Sequence, residues 1–200
     1  MWALVEDNTV TKVFTRPKAL TLGDNQYPAN IFSLWSSSEL EAIGIYEVVI
    51  DNTNLKNQEY YINTNQTFDF ADGTVTASYG TATAKNLDDT LFTAEDEAEN
   101  ADNVEGTVAG RGLKHNHKEA INLQAASQLQ STDWMVIREA DGGTAVPSSI
   151  STSRAAVRTK ANEMCDAIDA VSDVDALAAL YVYNDATPPV RPLGELPEVS

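Results

Sequence analysis

Several short segments of the first 84 residues alternate apolar and polar positions with a period of two, and apolar residues recur with a helical period from about residue 113. "WALVE" and "VTKVFT" flank Asp7-Asn8-Thr9, a turn-type tripeptide, so residues 2–15 are expected to form a hairpin. Pro28, in "QYPANIFSLW", favours an extended segment and disfavours a helix running across it. "SSSELEAIG" predicts a short helix. Ser36 with Glu39, or Ser38 with Glu41, fits a capping box, and Gly44 fits its end. "IYEVVID" reads as a strand with Tyr46, Val48 and Ile50 on one face. The clearest local signal is "QTFDFADGTVTASYG". Phe68 and Phe70 alternate into the turn Asp72-Gly73, and Val75, Ala77 and Tyr79 alternate out of it.

In the last part, Leu113, His117, Ile121, Ala125 and Leu129 recur four residues apart, which predicts a first helix with one apolar stripe. Val157, Ala161, Met164, Ile168 and Val171 follow at spacings of 4, 3, 4 and 3, which predicts a second helix with an apolar seam, capped by Ser151 or Ser153. A third helix is expected to start near Asp173, with Val174, Leu177, Leu180 and Tyr181 inward. Between the first two helices, Trp134 is read as the end of one helix, Gly142-Gly143 as the turn and Pro147 as its stiffener. The fold class expected is α+β. A small antiparallel β-rich domain with one short helix covers 1–84, an acidic linker or arm 85–112, a helical hairpin or three-helix module 113–183, and a Pro-rich extended tail 184–200.

Charge sharpens this division. The chain holds 13 basic and 30 acidic residues, a net charge of −17, and residues 85–112 alone hold 8 acids against 2 bases. With no periodicity, that piece reads as solvated spacer or arm. A nucleic-acid surface needs a basic stripe, and none is visible, so no nucleic-acid partner is expected. No apolar run approaches the roughly 20 residues that span a bilayer, and the N-terminus has no basic, apolar leader, so neither membrane nor secretion is expected.

Candidate chemistry is sparse. His115 and His117 stand two apart, which places them on different faces of a helix, so a shared metal is not expected. Cys165, the single cysteine, has Glu163, Asp166 and Asp169 around it, which oppose a thiolate. "EDEAEN" lacks the spaced oxygen ligands of a calcium loop, and "GTVAGRG" lacks the Lys-Ser/Thr pair of a phosphate loop. No catalytic residue, metal or cofactor is assigned. The candidate interaction residues are Trp134, Arg154 and Arg158 around the helical turn, and Pro188, Pro189 and Arg191 in the tail. Arg154 and Arg158 lie one turn apart. They fit an anion clamp, or pairing with acids of the neighbouring helix, or stacking on Trp134.

Residues 1–49, "YYINTNQTFDFADGTVTASYG" and "STDWMVIREADGGTAVP…RAAVRTKANEM" resemble structural proteins of tailed bacteriophages, marine ones especially. The last block is similar to the C-terminal helical part of phage tail-fibre-associated and tail-fibre-assembly proteins. A Thr-Asp-Trp stretch, a proline and a helix with two spaced arginines recur there, and Thr132, Asp133, Trp134, Pro147, Arg154 and Arg158 match. The likeness spans most of the chain but leaves out the acidic middle and the proline tail. Assembly proteins commonly carry an aromatic residue or second proline before the arginine helix, where this chain has Ser153. The resemblance implies a virion structural protein of the tail, fibre or baseplate region. It would contact other phage structural proteins and form an oligomer within an assembly. The alternative is a tail-fibre assembly chaperone that leaves the particle. A host-glycan hydrolase is the least favoured reading, because no acid/base pair stands out.

Overall fold

The structure, a computed structural model of the chain, describes residues 1–199 and is α+β, as the pattern predicts. It divides into two compact units, one ending at Thr83 and the other beginning at Ala84. The first contains β1 (Trp2–Glu6), β2 (Thr9–Phe14), β3 (Leu20–Leu22), β4 (Asn25–Tyr27), α1 (Ile31–Leu34), α2 (Ser37–Glu41), β5 (Ile45–Asp51), β6 (Tyr61–Ile62), β7 (Gln66–Ala71) and β8 (Thr74–Tyr79). A two-residue strand, β9 (Thr83–Ala84), lies at the border.

Both expected hairpins form, and for the expected reason. Asp7 and Asn8 take φ of 50° and 59°, and Asp72 and Gly73 take 51° and 76°. Two consecutive positive φ values make the tight turn whose twist matches paired strands, and Asp, Asn and Gly tolerate them best. Ser36 and Glu39 close the capping box of α2. Gly44 has φ of 80°, and a Cβ there would lie 2.9 Å from the Val5 carbonyl, so glycine lets the chain enter β5 beside β1.

The main sheet has the order β2-β1-β5-β8-β7. Its pairings are antiparallel except β5 with β8, which run parallel. Residues 52–73 supply the long connection that a parallel pair requires. The two edge strands, β2 and β7, curl toward each other. Neighbouring residues of β1 and β5 serve opposite faces. Ala3 and Val48 join Val75 and Ala77 on one side, packed by Tyr46, Phe68 and Phe70. Leu4 and Ile45 join Phe14, Leu20, Ile31, Phe32 and Leu40 on the other. Burial on both faces explains why "IYEVVI" is nearly continuous in apolar residues. Ile50, placed by pattern with Tyr46 and Val48, is 52% exposed beyond the end of β1.

The second unit contains β10 (Thr90–Leu91), α3 (Ala94–Glu99), β11 (Val108–Gly110), α4 (Leu113–Ala140), α5 (Ser148–Asp169) and α6 (Val174–Ala179). Helices α4 and α5 form a long hairpin. Of the predicted seam, Val157, Ala161, Met164 and Ile168 are buried opposite Leu113, Ile121 and Ala125 of α4, whereas Val171 falls past the end of α5 and is half-buried. Asp173 caps α6 by accepting from the Ala176 N–H at 2.8 Å. Two boundaries differ from expectation. Helix α4 runs past Trp134 to Ala140, where Gly142 with φ of 81° stops it. Helix α5 starts at Ser148, directly after Pro147, with no side-chain cap, so Ser151 and Ser153 lie inside it. Proline suits a helix start because its missing N–H is not needed there.

Residues 85–112 are not a bare spacer. Strands β10 and β11 pair, and α3 carries its own capping box between Thr93 and Asp96. The carbonyls of Asn86 and Leu87 accept from Leu113 and Lys114 N–H, each at 2.9 Å. The Asp89 carboxylate accepts from the Gly112 N–H at 2.8 Å and from Arg111 Nη1 at 2.6 Å. These bonds satisfy donors that the first turn of α4 otherwise leaves open. A Cβ at Gly112 would lie 2.3 Å from the Asp88 carbonyl carbon, so the approach needs glycine.

This clasp makes a pH prediction. The Gly112 hydrogen bond first, then Arg111, hold Asp89 below the ordinary carboxylate value of 3.8. A lowered folded pKa means stabilisation that is complete above the unfolded value and lost as pH falls through the folded one. Asp89→Asn is therefore expected to melt below the parent at about pH 7, with the gap closing as pH drops below about 4. A gap that stays constant across that range would contradict the clasp.

The tail also departs from the extended form expected. Leu193 and Leu196 are buried, and the Leu193 N–H donates to the Leu180 carbonyl at 3.0 Å, so the chain returns to α6. Two leucines set among the prolines supply anchors that composition does not reveal.

Candidate interaction surfaces

The residues singled out at the helical turn separate into two roles. Arg154 is buried, only 8% exposed. Its Nη1 donates to the Leu129 carbonyl at 2.7 Å and to Thr132 Oγ1 at 2.5 Å, and its Nη2 donates to Asp133 Oδ1 at 2.7 Å. The guanidinium thus spends its fork closing α5 onto α4 and is not free to clamp an anion. The pattern Thr132, Asp133 and Arg154, on which the phage resemblance partly rests, is brought together as a fold-holding clasp. Arg158, one turn later, is exposed. Trp134 is 53% exposed, and the cation stacked on it is Arg138, 4.9 Å from the ring centre, not Arg154 or Arg158.

The tail residues build a distinct surface. Asn184 organises the loop. Its N–H donates to the Val190 carbonyl at 2.9 Å, and its side-chain oxygen accepts from the N–H groups of Ala186 and Val190. Pro188 and Pro189 lie exposed in the loop so pinned. Arg191 lies 5.4 Å from the ring centre of Tyr181 and 5.5 Å from that of Tyr183, and it donates to the Gly194 carbonyl and the Glu195 carboxylate. The Tyr183 hydroxyl donates to Glu195 Oε1 at 2.5 Å, and this bond raises the Tyr183 pKa. The stack holds Val182 and Val190 outward, at 64% and 54% exposure, around a shallow groove of about 430 Å³. Sequence reading named Pro188, Pro189 and Arg191 but missed Tyr181, Tyr183 and Val190 as their frame. The spacing of two between the tyrosines was the available signal.

A cleft of about 660 Å³ lies along the α4–α5 hairpin, lined by His115, Lys118, Asn122, Cys165 and Asp169 among others. Lys118 pairs with Asp169 at 2.7 Å, and that bond raises the lysine pKa. Burial pushes the Cys165 thiol up, with Asp169 and Asp166 adding to the rise. A thiol held protonated is a poor nucleophile. His117 is buried, and its Nδ1 lies 2.8 Å from the Tyr181 hydroxyl. Among the described residues, no group of three or more His, Cys, Asp or Glu is placed to hold a metal, and no helix is long and apolar enough to cross a membrane.

Compared with protein-family models, with curated proteins and with solved structures, the chain matches none.

Proposed function

We propose that the chain is a virion structural protein of a tailed phage, in the tail, fibre or baseplate region, working through contact with other structural proteins of the particle. The reading assigns it no reaction, cofactor or metal. The observation that carries it is the C-terminal loop, in which Asn184 and the Arg191 stack hold Val182 and Val190 outward together with two prolines. Apolar side chains on a pre-ordered loop bind at low entropic cost, and aromatic residues and arginine are over-represented where interfaces concentrate their energy. A net charge of −17 further suits partners that present basic surfaces.

The second reading, an assembly chaperone that is not retained, rests on the likeness of the block from Ser131 to Met164 to tail-fibre-assembly proteins.

Val182→Asp and Val190→Asp, made singly in the phage that encodes the chain, test the reading. Both side chains are exposed, so the isolated variants are expected to melt like the parent. Incorporation into particles is expected to fall at least about tenfold, a loss of about 1.4 kcal/mol in binding. Normal incorporation of both variants would remove the loop from the account.

A further inference from the structure

With 30 acids to 13 bases, each cation of this chain has carboxylates to choose from. In the second unit Arg111, Lys114, Lys118, Arg154, Lys160 and Arg191 each meet one. The first unit breaks this pattern. Lys12 on β2, and Arg16 and Lys18 in the connection from β2 to β3, are all exposed. Among the described residues, none of the three has a carboxylate within ion-pair distance. The stretch between Asp7 and Asp24 holds these three cations and no acid.

The fold sets the cluster beside a groove. Lys12 pairs in register with Leu4, and cross-strand mates share a face, so Lys12 lies on the side of the core that holds Leu4, Phe14 and Leu20. Its ammonium sits 5.5 Å from the centre of the Phe14 ring, so an aromatic face holds it where no carboxylate does. Lys12 and the hairpin β3–β4 line a groove of about 620 Å³, with Leu20, Thr21, Gln26, Tyr27 and Pro28 opposite. Leu20 and Tyr27 are register mates at the open end of that hairpin, and Asp24 lies in the turn at its other end. Pro17, between Arg16 and Lys18, restricts the approach to the groove.

We propose that this groove docks a short acidic peptide segment of a partner protein. Carboxylates of the segment meet Lys12, Arg16 and Lys18, and clusters of cations with a planar guanidinium among them recur where acidic motifs are recognised. The side chains between the carboxylates lie over Leu20 and Tyr27, and Thr21 and Gln26 offer polar contacts along the wall. A nucleic acid carries a charge at every nucleotide, and the field of a chain with net charge −17 repels so long an anion. A short segment engages the cationic patch alone. Exposed ion pairs contribute little each and are screened by salt, so the docking is weak and salt-sensitive. The inference uses β2 and the β3–β4 hairpin and not the C-terminal loop, so it stands or falls separately from the virion reading.

The test is a nuclear magnetic resonance titration of the isotope-labelled full chain with a decapeptide of alternating Glu and Thr. Backbone shifts are expected to concentrate between Lys12 and Pro28. Half-saturation should fall near about 100 μM at about 0.05 M salt and rise at least about fivefold at about 0.3 M. The same peptide with Gln for Glu should leave the spectrum unchanged. The double variant Lys12→Gln with Lys18→Gln, at exposed positions, should melt like the parent and bind at least about tenfold more weakly. Lys56→Gln with Arg158→Gln removes equal charge at exposed positions elsewhere and should bind like the parent. Shifts centred outside the groove, binding of the Gln peptide, or equal losses in the two double variants would overturn the proposal. Tighter binding of a ten-nucleotide thymidine strand at the same resonances would reassign the patch to nucleic acid. A parent that self-associates without peptide, and ceases to in Lys12→Gln with Lys18→Gln, would overturn the partner protein in favour of a second copy.

Discussion

Ile168→Asp is expected to abolish the helical fold of the second unit. Ile168 is fully buried on α5, in one line with Val157, Ala161 and Met164, and each of these is at most 4% exposed. A carboxylate there meets only the apolar seam and has no charge or donor to compensate its lost hydration. Burying an unpaired charge costs several kcal/mol, and a domain of this size has only about 5–15 kcal/mol in total. Met164→Ala removes side-chain volume without adding charge, and is expected to cost about 2–5 kcal/mol. Urea and thermal melts followed by the helical circular-dichroism signal measure both. If both variants melted like the parent, the seam would face solvent or a partner instead of the hairpin's own interior.

Arg154→Ala is expected to cost about 2–4 kcal/mol, since it removes three charge-assisted hydrogen bonds that join α5 to α4. The cost stays below that of breaking a fully buried pair. Asp133 is about half exposed, with 51% of its side chain accessible, and water can take the place of the guanidinium there. Arg154→Lys should recover only part of the loss, because one ammonium cannot reach the Leu129 carbonyl, Thr132 and Asp133 with the fork geometry of arginine. Arg158→Ala, one turn along at an exposed position, should change stability by less than about 0.5 kcal/mol. The contrast between the two arginines is the decisive comparison. Equal, small effects would show that the clasp does not hold the hairpin.

What sequence pattern could show depended on which interactions leave a periodic trace. Turns with two positive φ values leave one in residue type, so the hairpins at Asp7-Asn8 and Asp72-Gly73 were legible. An apolar seam leaves one in spacing, which made Val157 to Ile168 legible. The parallel pairing of β5 and β8 was not, because strand direction follows from the connection and not from residues within either strand. Residues 85–112 read as spacer because backbone carbonyls and the Asp89 carboxylate tie them to the start of α4, and such bonds need no hydrophobic period. The tail read as extended because prolines outnumber its two buried leucines. At the candidate surface, Trp134 was visible as a large side chain at a conspicuous place. Ile137 joins the face of Trp134 only because α4 runs on to Ala140, whereas Leu123, exposed on the same face, lay within the helix expected from the pattern. Arg154 and Arg158 looked equivalent from their spacing of four, and only packing separates the buried clasp from the exposed side chain.

The central claim is that this chain works by being held within a phage particle. Quantitative mass spectrometry of purified infectious particles tests it most directly, with the lysate of infected cells measured in parallel. The account predicts that the chain is present in particles at a fixed ratio to the other structural proteins, through successive purification steps. Abundance in the lysate with absence from the particles would contradict it, and would leave the assembly chaperone as the reading to pursue.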